Sequence, residues 1–400
     1  MDEKRKTILN KIVFYSLIAL AAVVPVFGRN IKYLWLALGF VCILRRNFLL
    51  KNPMFLPIFL FAFITGVSAL TGVNPGRSFR YIIREDINIM LFFILASCAF
   101  SDERFDVPFR VFLISAFVVS LFAVFQYGFQ HNLSVQKIFA EIDAGNIAVN
   151  QGRAYAFRGH PVIFAANLCL YIPIIAALVI CRKRLSYIVG LFTMLLALLI
   201  SYSRGPILAL TVVFVLSGAL FFKKMKLLIG VIAVSIVVLL LFIFVSGGMP
   251  VRKRLNLNSG GRIELWKISM KMIHNFPLFG VGAGNAINVY EKSYRVNKFH
   301  FYHLHNTFIQ ITVERGIFAL LIYLWAMGVF FRNLYLRASA VGLSDNRKVI
   351  LTGMMFGFAA YFLTGFTEYI FYRSEMYFPF YFLAGLALSR AFQAQLPEKS

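Results

Sequence analysis

Residues 161–222 read PVIFAANLCLYIPIIAALVICRKRLSYIVGLFTMLLALLISYSRGPILALTVVFVLSGALFF, three apolar runs separated only by short connections at 182–184 and 203–205. Each run has roughly the 20 residues that a helix needs to cross a hydrocarbon core about 30 Å thick. Helices satisfy their own backbone hydrogen bonds in lipid, and the length and pattern of these runs do not suit barrel strands. The stretch therefore predicts helices that cross a membrane repeatedly.

The whole chain has the same composition. Of its 400 residues, 60% are hydrophobic and 14% are charged, which is more hydrocarbon than a soluble protein of this size can bury. Twelve apolar runs are predicted to be spans, at 12–28, 31–45, 53–72, 87–101, 107–129, 161–181, 185–202, 205–222, 227–246, 307–331, 348–371 and 375–393. The predicted fold is an all-α polytopic membrane protein, a single integral membrane domain over residues 1–400 with about 12 transmembrane helices.

Basic residues predict the orientation. The N-terminus and the short connections 45–51, 182–184 and 223–226 are rich in Lys and Arg, which marks the cytoplasmic face. Both termini are then cytoplasmic, and the N-terminal basic flank with its apolar run is interpreted as an uncleaved first span. The longest loop, 247–306, lies between spans nine and ten on the periplasmic side.

This periplasmic loop is predicted to contain helices. Ile263, Trp266, Met270 and Ile273 recur at helical spacing, which predicts the apolar stripe of an amphipathic helix lying on the membrane surface. A second helix is expected after the glycine-rich stretch 280–284, with a start that could present backbone N–H groups to an anion. The loop is expected to cover a cleft that opens sideways to lipid.

The charge balance indicates anionic partners. The chain carries 41 Lys+Arg against 16 Asp+Glu, a net charge of +25, and it has no soluble domain to bind nucleic acid. Anionic membrane lipids or phosphorylated membrane substrates are the predicted partners instead.

Four arginines lie in short outward segments, where the orientation rule disfavours them. Arg77, Arg80 and Arg84 share one face of a predicted helix, and Arg204 lies in the tight Ser203-Arg204-Gly205 turn. Anchoring at the membrane interface explains such residues as well as binding does. Guanidinium groups are, however, well suited to bidentate phosphate binding.

Three histidines precede the tenth predicted span. His300, His303 and His305 could suggest zinc, but no carboxylate or thiolate is clustered with them in the sequence, and the chain has no Asp-x-Asp pair. No metal and no cofactor are therefore predicted. Solvated interfacial histidine is one interpretation, and a neutral imidazole that accepts a proton near pH 7 is the other. His160, just before another span, is interpreted either as a contact in a second part of the site or as an ordinary residue of the membrane interface.

The motifs resemble those of the bacterial O-antigen ligases, within the wider O-antigen ligase/polymerase superfamily. His303-Leu304-His305-Asn306, followed by Glu314-Arg315-Gly316, looks like the family's signature. Ser203-Arg204-Gly205 is similar to its periplasmic arginine turn. The same likeness extends to Gly261-Arg262 with the helix around Trp266, to the loop Pro277-Leu278-Phe279-Gly280-Val281-Gly282-Ala283-Gly284, and to Arg373-Ser374.

This resemblance implies a membrane glycosyltransferase of GT-C-like architecture with its active site facing the periplasm. The implied reaction transfers O-polysaccharide from undecaprenyl diphosphate to a sugar hydroxyl of lipid A–core in the bacterial inner membrane. By implication His305 is the base, and Arg204 and Arg262 hold the diphosphate. Arg77 and Arg80 are further candidates for diphosphate binding. Weaker substrate-binding candidates are His303, Asn306, Arg84, Arg158, His160 and Arg373.

The residue types agree with that chemistry. A sugar bonded to diphosphate already has a good leaving group, so the reaction needs neutralisation of phosphate charge, which arginine supplies without a metal. The acceptor hydroxyl needs one base, and histidine suits neutral pH. A single displacement would invert the anomeric centre.

Three alternatives remain open. An O-antigen polymerase and a protein O-oligosaccharyltransferase would use the same donor. A lipid-linked oligosaccharide flippase or transporter is the alternative of another class, and it predicts internal repeats and ionisable residues deep in the membrane. Most ionisable residues here lie at the ends of spans, with Glu314, Arg315 and Glu368 as exceptions.

Overall fold

The structure, a computed structural model, describes residues 14–26, 52–89, 102–130, 153–157, 159–221, 261–295, 301–371 and 373–389. Within these ranges every regular element is helical, as the sequence predicts. The α-helices are α1 (Phe14–Val23), α2 (Phe55–Thr71), α3 (Pro75–Arg84), α4 (Asp102–Gln130), α5 (Pro161–Arg182), α6 (Leu185–Ile200), α7 (Arg204–Phe221), α8 (Arg262–Asn275), α9 (Ala286–Val289), α10 (Thr307–Ala338), α11 (Asp345–Thr364) and α12 (Ser374–Ala387). A short 3-10 helix covers Asp86–Ile89, and a π-helix covers Tyr290–Tyr294.

Three of the described helices are long and apolar enough to cross a membrane: Val107–Phe129 of α4, then α5 and α10. Helices α1, α2 and α6 are also apolar but shorter, as is the Arg204–Ser217 part of α7. Together these helices indicate a multi-pass membrane protein. Among the predicted spans, 31–45 and 227–246 lie outside the described residues, as does most of 87–101, so the count of twelve stays a prediction.

Helices α5 and α11 pack at the centre of the molecule. A Cβ built on Gly353 would lie 2.9 Å from the Cα atom of Ile174, and one built on Gly357 would collide with the backbone of Leu170. Only glycine therefore allows the two backbones to approach this closely, which is the role of small residues spaced four apart in membrane helices. This packing places the end of α11, and the segment that follows it, against the start of α5.

The eleventh predicted span, 348–371, ends earlier than expected. Helix α11 stops at Thr364, and the chain from Gly365 to Tyr369 is a turn that carries the buried side chain of Glu368. The side chain of Thr307, at the start of α10, helps to hold this turn. Its Oγ1 donates to the carbonyl of Glu368 over 2.8 Å and accepts from the N–H of Ile370 over 3.1 Å.

The predicted loop helix is present as α8, and a second apolar stripe beside the predicted one is the more buried of the two. Leu265, Ile268 and Met272 are buried, whereas Ile263 and Met270 of the predicted stripe are 57% and 48% exposed. The helix has apolar residues on two faces, and packing against α10 and the π-helix determines which face is buried. A single stripe read from the sequence could not distinguish the two faces.

Helix α10 is interrupted at Gly316, whose backbone is non-helical at φ 80° and ψ 178°. The interruption frees the carbonyls of Val313 and Glu314, which accept the N–H groups of Val281 (2.8 Å) and Gly282 (2.9 Å). A Cβ at Gly316 would collide with the carbonyl of Leu278. The stretch Pro277–Gly284, called the glycine loop below, is therefore joined to α10 through its backbone.

Several backbone N–H groups of the glycine loop, which precedes the predicted second helix, are used inside the protein. Those of Val281 and Gly282 are used by α10, and that of Gly284 hydrogen bonds to the Glu314 carboxylate. The anion that this loop binds is therefore a side chain of the protein itself.

Candidate functional site

The candidate site is centred on a contact between His305 and Glu368. Nδ1 of His305 lies 3.0 Å from Oε2 of Glu368. The Glu368 side chain is 8% exposed, and that of His305 is 22% exposed, so the acid is enclosed while the imidazole reaches the surface. The arrangement is typical of a histidine whose orientation is fixed by a carboxylate.

Arg262, the first residue of α8, binds the other oxygen of the same carboxylate. Its Nη2 is 2.7 Å from Oε1 of Glu368, and its Nη1 donates to the carbonyl of Thr367 over 3.2 Å. The Arg262 side chain is still 32% exposed. Glu368 therefore joins two residues selected from the sequence, Arg262 and His305, which lie 43 positions apart in the chain (305 − 262).

Glu368 is ionised at neutral pH. Burial alone raises the pKa of this carboxyl, but the hydrogen bond from His305 and the positive charge of Arg262 outweigh it, and the pKa falls to about 2. Glu368 lies in the turn after α11, outside the helix. In the sequence, Glu368 stands out only as an acid within an apolar run. That unusual position is the one sequence signal of its role.

His303 lies beside His305, with 4.1 Å between the ring centroids. Burial, and then the neighbouring His305, lower the pKa of His303 to about 3, so its imidazole is neutral at physiological pH. Its Nδ1 accepts the backbone N–H of His305 over 3.2 Å. His303 thus supports the unusual backbone of His305, whose φ is +51°.

The remaining residues of the histidine motif fix this segment between two helices. Asn306 caps α10 by accepting the N–H of Ile309 over 3.0 Å, and its amide donates to the carbonyl of Phe366 over 2.9 Å. Trp266 of α8 donates from Nε1 to the carbonyl of Leu304 over 2.8 Å. The segment is therefore tied to α8, to α10 and to the turn that carries Glu368.

His303, His305 and Glu368 are also the described residues that could hold a metal ion. Their ligand atoms all lie within 4.8 Å of one another. The sequence argument against zinc assumed that no carboxylate was near these histidines, and the position of Glu368 corrects that assumption. Both Glu368 oxygens already bind His305 and Arg262, however, so an ion would compete with these two contacts.

The arginine turn lies next to the same carboxylate. Arg204 is exposed at the first position of α7. A Cβ on the following residue, Gly205, would collide with the side chain of Thr367, which immediately precedes Glu368. Only glycine fits at this position, so the turn packs directly on the segment that carries Glu368. The backbone of Arg204 therefore lies close to that of Glu368.

Arg153 is a neighbour of this turn that the sequence analysis missed. Its Nε donates to the carbonyl of Ser201 over 2.8 Å, and its Nη2 donates to Oγ of Ser203 over 3.1 Å. The only signal in the sequence was a basic residue seven positions before His160 (160 − 153) in an outward loop. Neither periodicity nor a motif distinguished it from the other basic residues of that loop.

His160 and Arg373 belong to the same electrostatic surroundings. His160 caps α5 by accepting the N–H of Val162 over 3.3 Å. Burial, and then the charge of Arg153, lower the pKa of His160 to about 4, while the charge of Glu368 opposes both. Arg373, at the start of α12, also acts on this imidazole, which places it in the cluster. Arg158 lies outside the described residues.

The three arginines of α3 occupy a different place. Arg77, Arg80 and Arg84 are all exposed on this helix. Arg77 donates from Nε to the carbonyl of Gly284 over 2.9 Å, and Arg84 pairs with Glu85 at 3.0 Å. Their contacts attach α3 to the glycine loop and to its own end, and do not join it to the His305–Glu368 pair. The link to that pair runs through Tyr81, whose hydroxyl is 3.3 Å from that of Tyr369.

A second charged group is buried where the glycine loop, α10 and the 3-10 helix meet. Arg315 is 2% exposed and contacts Glu314 at 3.0 Å and Asp86 at 2.9 Å. Gln310 also donates to the Glu314 carboxylate over 2.8 Å. Glu314 and Arg315 are two of the three ionisable residues that the sequence placed inside a span, and the structure pairs them with each other.

Residues 189–324 match a family model described as O-antigen ligase. The matched segment contains Arg204, Arg262 and His305, and ends before Glu368. The match covers 136 of the 400 residues (324 − 189 + 1) and supports the resemblance seen in the motifs. A search of the curated proteins finds no match.

Proposed function

From the O-antigen ligase match of residues 189–324, we propose that this chain transfers O-polysaccharide from undecaprenyl diphosphate to a sugar hydroxyl of lipid A–core. The enzyme is a multi-pass protein of the bacterial inner membrane, a single integral domain with both termini in the cytoplasm and with loop 247–306 on the periplasmic side. The His305–Glu368–Arg262 contacts are the observation that carries this proposal. They join a base and a cation at the surface of one enclosed carboxylate.

His305 is the base in this reaction. Because Glu368 is ionised, the proton of the neutral imidazole lies on Nδ1 and is donated to Oε2 of Glu368. Nε2 is then free of a proton and accepts one from the acceptor hydroxyl. The buried carboxylate also stabilises the imidazolium that forms, which strengthens the base at the moment of transfer.

Arginine side chains hold the donor's diphosphate. Arg204 and Arg262 reach the surface beside Glu368, and the positive charges of Arg153 and Arg373 lie close enough to act on His160. Guanidinium groups bind phosphate oxygens in pairs and neutralise the charge that develops on the leaving diphosphate. Arg77, which hydrogen bonds to the glycine loop, and Arg80 are further proposed contacts for the diphosphate, from α3 and away from the His305–Glu368 pair.

The transfer is a single displacement. The acceptor oxygen forms a bond to C1 of the donor sugar while the bond from C1 to the diphosphate oxygen breaks. The electron pair of the broken bond leaves with the diphosphate, and the hydroxyl proton moves to Nε2 of His305. One displacement inverts the anomeric centre, so a linkage of retained configuration would contradict this step.

Variants of the base test the proposal in a strain that lacks the chromosomal gene. Complementation with the wild type should restore polymer-bearing lipopolysaccharide on a gel. His305→Ala should leave core-only lipopolysaccharide and accumulate lipid-linked polymer, since a base contributes about 10²–10⁴ in rate. His274→Ala, at the exposed end of α8, is the matched control and should complement fully.

The same gel separates the two transferases that share this donor. Core-only product with accumulated lipid-linked polymer identifies a ligase. Core carrying a single repeat identifies a polymerase and would overturn the choice of lipid A–core as the acceptor. Normal product from His305→Ala would overturn the role of the base.

A further inference from the structure

Two histidines and one carboxylate of the candidate site lie close enough together to hold one metal ion. One ring nitrogen each of His303 and His305 and one oxygen of Glu368 all lie within 4.8 Å of one another. Three atoms this close share a point that is no more than about 2.8 Å (4.8/√3) from each of them. Zinc binds nitrogen and carboxylate oxygen at about 2.0–2.2 Å, so each ligand atom has to move by less than about 1 Å.

The ligand types select the kind of ion. Two imidazole nitrogens and one carboxylate oxygen are ligands of zinc and related transition metals, whereas Mg²⁺ and Ca²⁺ prefer oxygen alone. The three ligands are also held in place, because the histidine segment is tied to α8 and α10 and the turn that carries Glu368 is tied to Thr307. The His305 side chain is 22% exposed, so an ion can reach the cluster from outside.

The contact between His305 and Glu368 already has nearly the right separation for two ligands of one ion. Nδ1 of His305 is 3.0 Å from Oε2 of Glu368. Two ligand atoms at about 2.0–2.1 Å from a tetrahedral ion are about 3.3 Å apart, so an ion can replace the proton between them. Coordination through Oε2 alone leaves Oε1 with Arg262, at 2.7 Å. The charge of Arg262 repels a cation, so we expect reversible binding in the micromolar range.

We propose that His303, His305 and Glu368 bind a divalent ion of the zinc type, and that the bound ion inhibits transfer by changing the tautomer of His305. The ion takes the lone pair of Nδ1, so the Nδ1 proton passes to solvent and Nε2 takes up the one proton of the neutral imidazole. Nε2 is the atom that accepts the hydroxyl proton in the proposed reaction, and once protonated it can only donate. The inhibition rests on the proposed function, whereas the binding of the ion does not.

Titration with Co²⁺ tests the binding. Co²⁺ takes the same ligands as zinc and absorbs visible light most strongly in tetrahedral sites, so it reports both occupancy and geometry. The full chain in nanodiscs, freed of metal with a chelator, should bind one equivalent of Co²⁺ with this absorption. Zn²⁺ should displace it, since zinc binds more tightly than Mg²⁺ to nitrogen ligands, and Mg²⁺ should not. The absence of saturable binding of Co²⁺ and Zn²⁺ would overturn the proposal.

Variants of the ligands assign the bound ion to this cluster. His303→Asn keeps an acceptor for the N–H of His305 but offers an amide, which is a poor ligand for zinc. The affinity for Zn²⁺ should fall at least tenfold, since the loss of a mere outer partner of a metal ligand already costs about 10–100-fold. Glu368→Gln should have the same effect and keeps the test valid if His303→Asn does not fold. His274→Ala, at the exposed end of α8, is the matched control and should bind as the wild type does. Unchanged affinity in both ligand variants would overturn the site.

A transfer assay with lipid-linked donor tests the inhibition. Zn²⁺ should lower kcat with little change in the KM for the donor, and a chelator should restore the rate. The activity that remains in His303→Asn should need at least tenfold more Zn²⁺ for the same inhibition, in line with its weaker binding. Equal inhibition of both proteins would instead indicate that zinc binds the diphosphate of the donor, and would overturn the inhibition, as would unchanged or faster transfer at saturating Zn²⁺. A chain that binds zinc through these ligands but transfers no polysaccharide supports the metal site and contradicts the proposed function alone.

Discussion

At the level of single residues, the site depends on one acid that serves two partners. Glu368 binds His305 through one oxygen and Arg262 through the other, and its own burial is tolerated because both partners stabilise its charge. Motif and spacing selected the histidine and the arginine from the sequence. They could not select the acid, because Glu368 reaches them only through the fold, 63 positions after His305 (368 − 305).

The first prediction concerns this acid. Glu368→Gln keeps the size of the side chain but removes the charge that orients His305 and stabilises its imidazolium. Because a base contributes about 10²–10⁴ in rate, we expect kcat to fall by about ten- to a hundredfold, less than in His305→Ala. Turnover is measured with purified enzyme and lipid-linked donor. Glu291→Gln, which removes a carboxylate that pairs with Arg295 in the π-helix, is the control, and a wild-type kcat in Glu368→Gln would contradict the role.

The second prediction is a dependence of stability on pH. The pKa of His303 is about 3 in the folded protein, against 6.5 for an ordinary histidine. The unfolded chain therefore binds more protons between these values, so stability is lost as the pH falls from about 6.5 towards 3. Glu368, with a folded pKa of about 2, adds a loss only below its ordinary value of 4.5.

Thermal unfolding in detergent between pH 7.5 and 5.0 is compared for the wild type and His303→Asn, because His160, with a folded pKa of about 4, adds the same loss of stability in both proteins. His303→Asn retains an acceptor for the N–H of His305 but does not titrate, so its melting temperature should change less over this range. The difference in unfolding free energy at pH 5 should be at most about 2 kcal/mol, at 1.36 kcal/mol per pH unit. Parallel pH profiles for the two proteins would contradict the assignment.

At the level of elements, α10 contains a break that the sequence shows only as a glycine in a motif. Apolar length predicted a span at 307–331, and the structure has a helix over Thr307–Ala338 that is interrupted at Gly316. The interruption exists because the glycine loop supplies the missing backbone partners. Helix length can be read from apolar runs, whereas a break that depends on a distant loop cannot.

The third prediction tests this break. Gly316→Ala would place a Cβ against the carbonyl of Leu278 in a backbone with φ of +80°, which is costly for any residue other than glycine. We expect a loss of about 1–3 kcal/mol or more in unfolding free energy, seen as a lower melting temperature. Gly328→Ala in the same helix meets nothing within 4 Å and should be neutral or stabilising. Equal melting temperatures of the two variants would contradict the strain at Gly316.

The loop helix α8 shows a second limit of the sequence. Its existence and position are predicted correctly, but the sequence analysis does not identify the stripe of Leu265, Ile268 and Met272, which is as regular as the predicted one and is buried in the protein. Periodicity identifies that a helix has apolar faces. Which face is buried is determined by the partner it packs against, here α10 and the π-helix.

At the level of the whole molecule, four of the 41 Lys and Arg residues behind the net charge of +25 lie around the candidate site. Arg262 pairs with Glu368 at the surface, the exposed Arg204 precedes a glycine that packs on Thr367, and Arg153 and Arg373 act on the nearby His160. Composition predicted an anionic partner but not where it binds. The fold brings together arginines from four separate parts of the chain, and their clustering favours one positively charged region.

The fourth prediction follows from this clustering. Screening by salt weakens attraction between partly exposed charges, since the Debye length falls from about 10 Å at 0.1 M to about 3 Å at 1 M. The KM for a diphosphate donor should therefore rise several-fold between 0.1 and 1 M salt, an order-of-magnitude expectation, while kcat changes little. Arg204→Gln should show a higher KM and a weaker dependence on salt. A KM independent of salt in the wild type would contradict the role of the cluster.

The hydrogen bonds between the glycine loop and α10 have a consequence for how substrates reach the site. Val281 and Gly282 supply backbone donors that α10 cannot obtain from its own turn, so lifting this part of the loop would leave carbonyls of an apolar helix without partners. The loop cannot open as an independent lid. For the lipid-anchored donor and acceptor of the proposed function, this leaves entry along the membrane plane, between helices, so that their arrival depends on lateral diffusion.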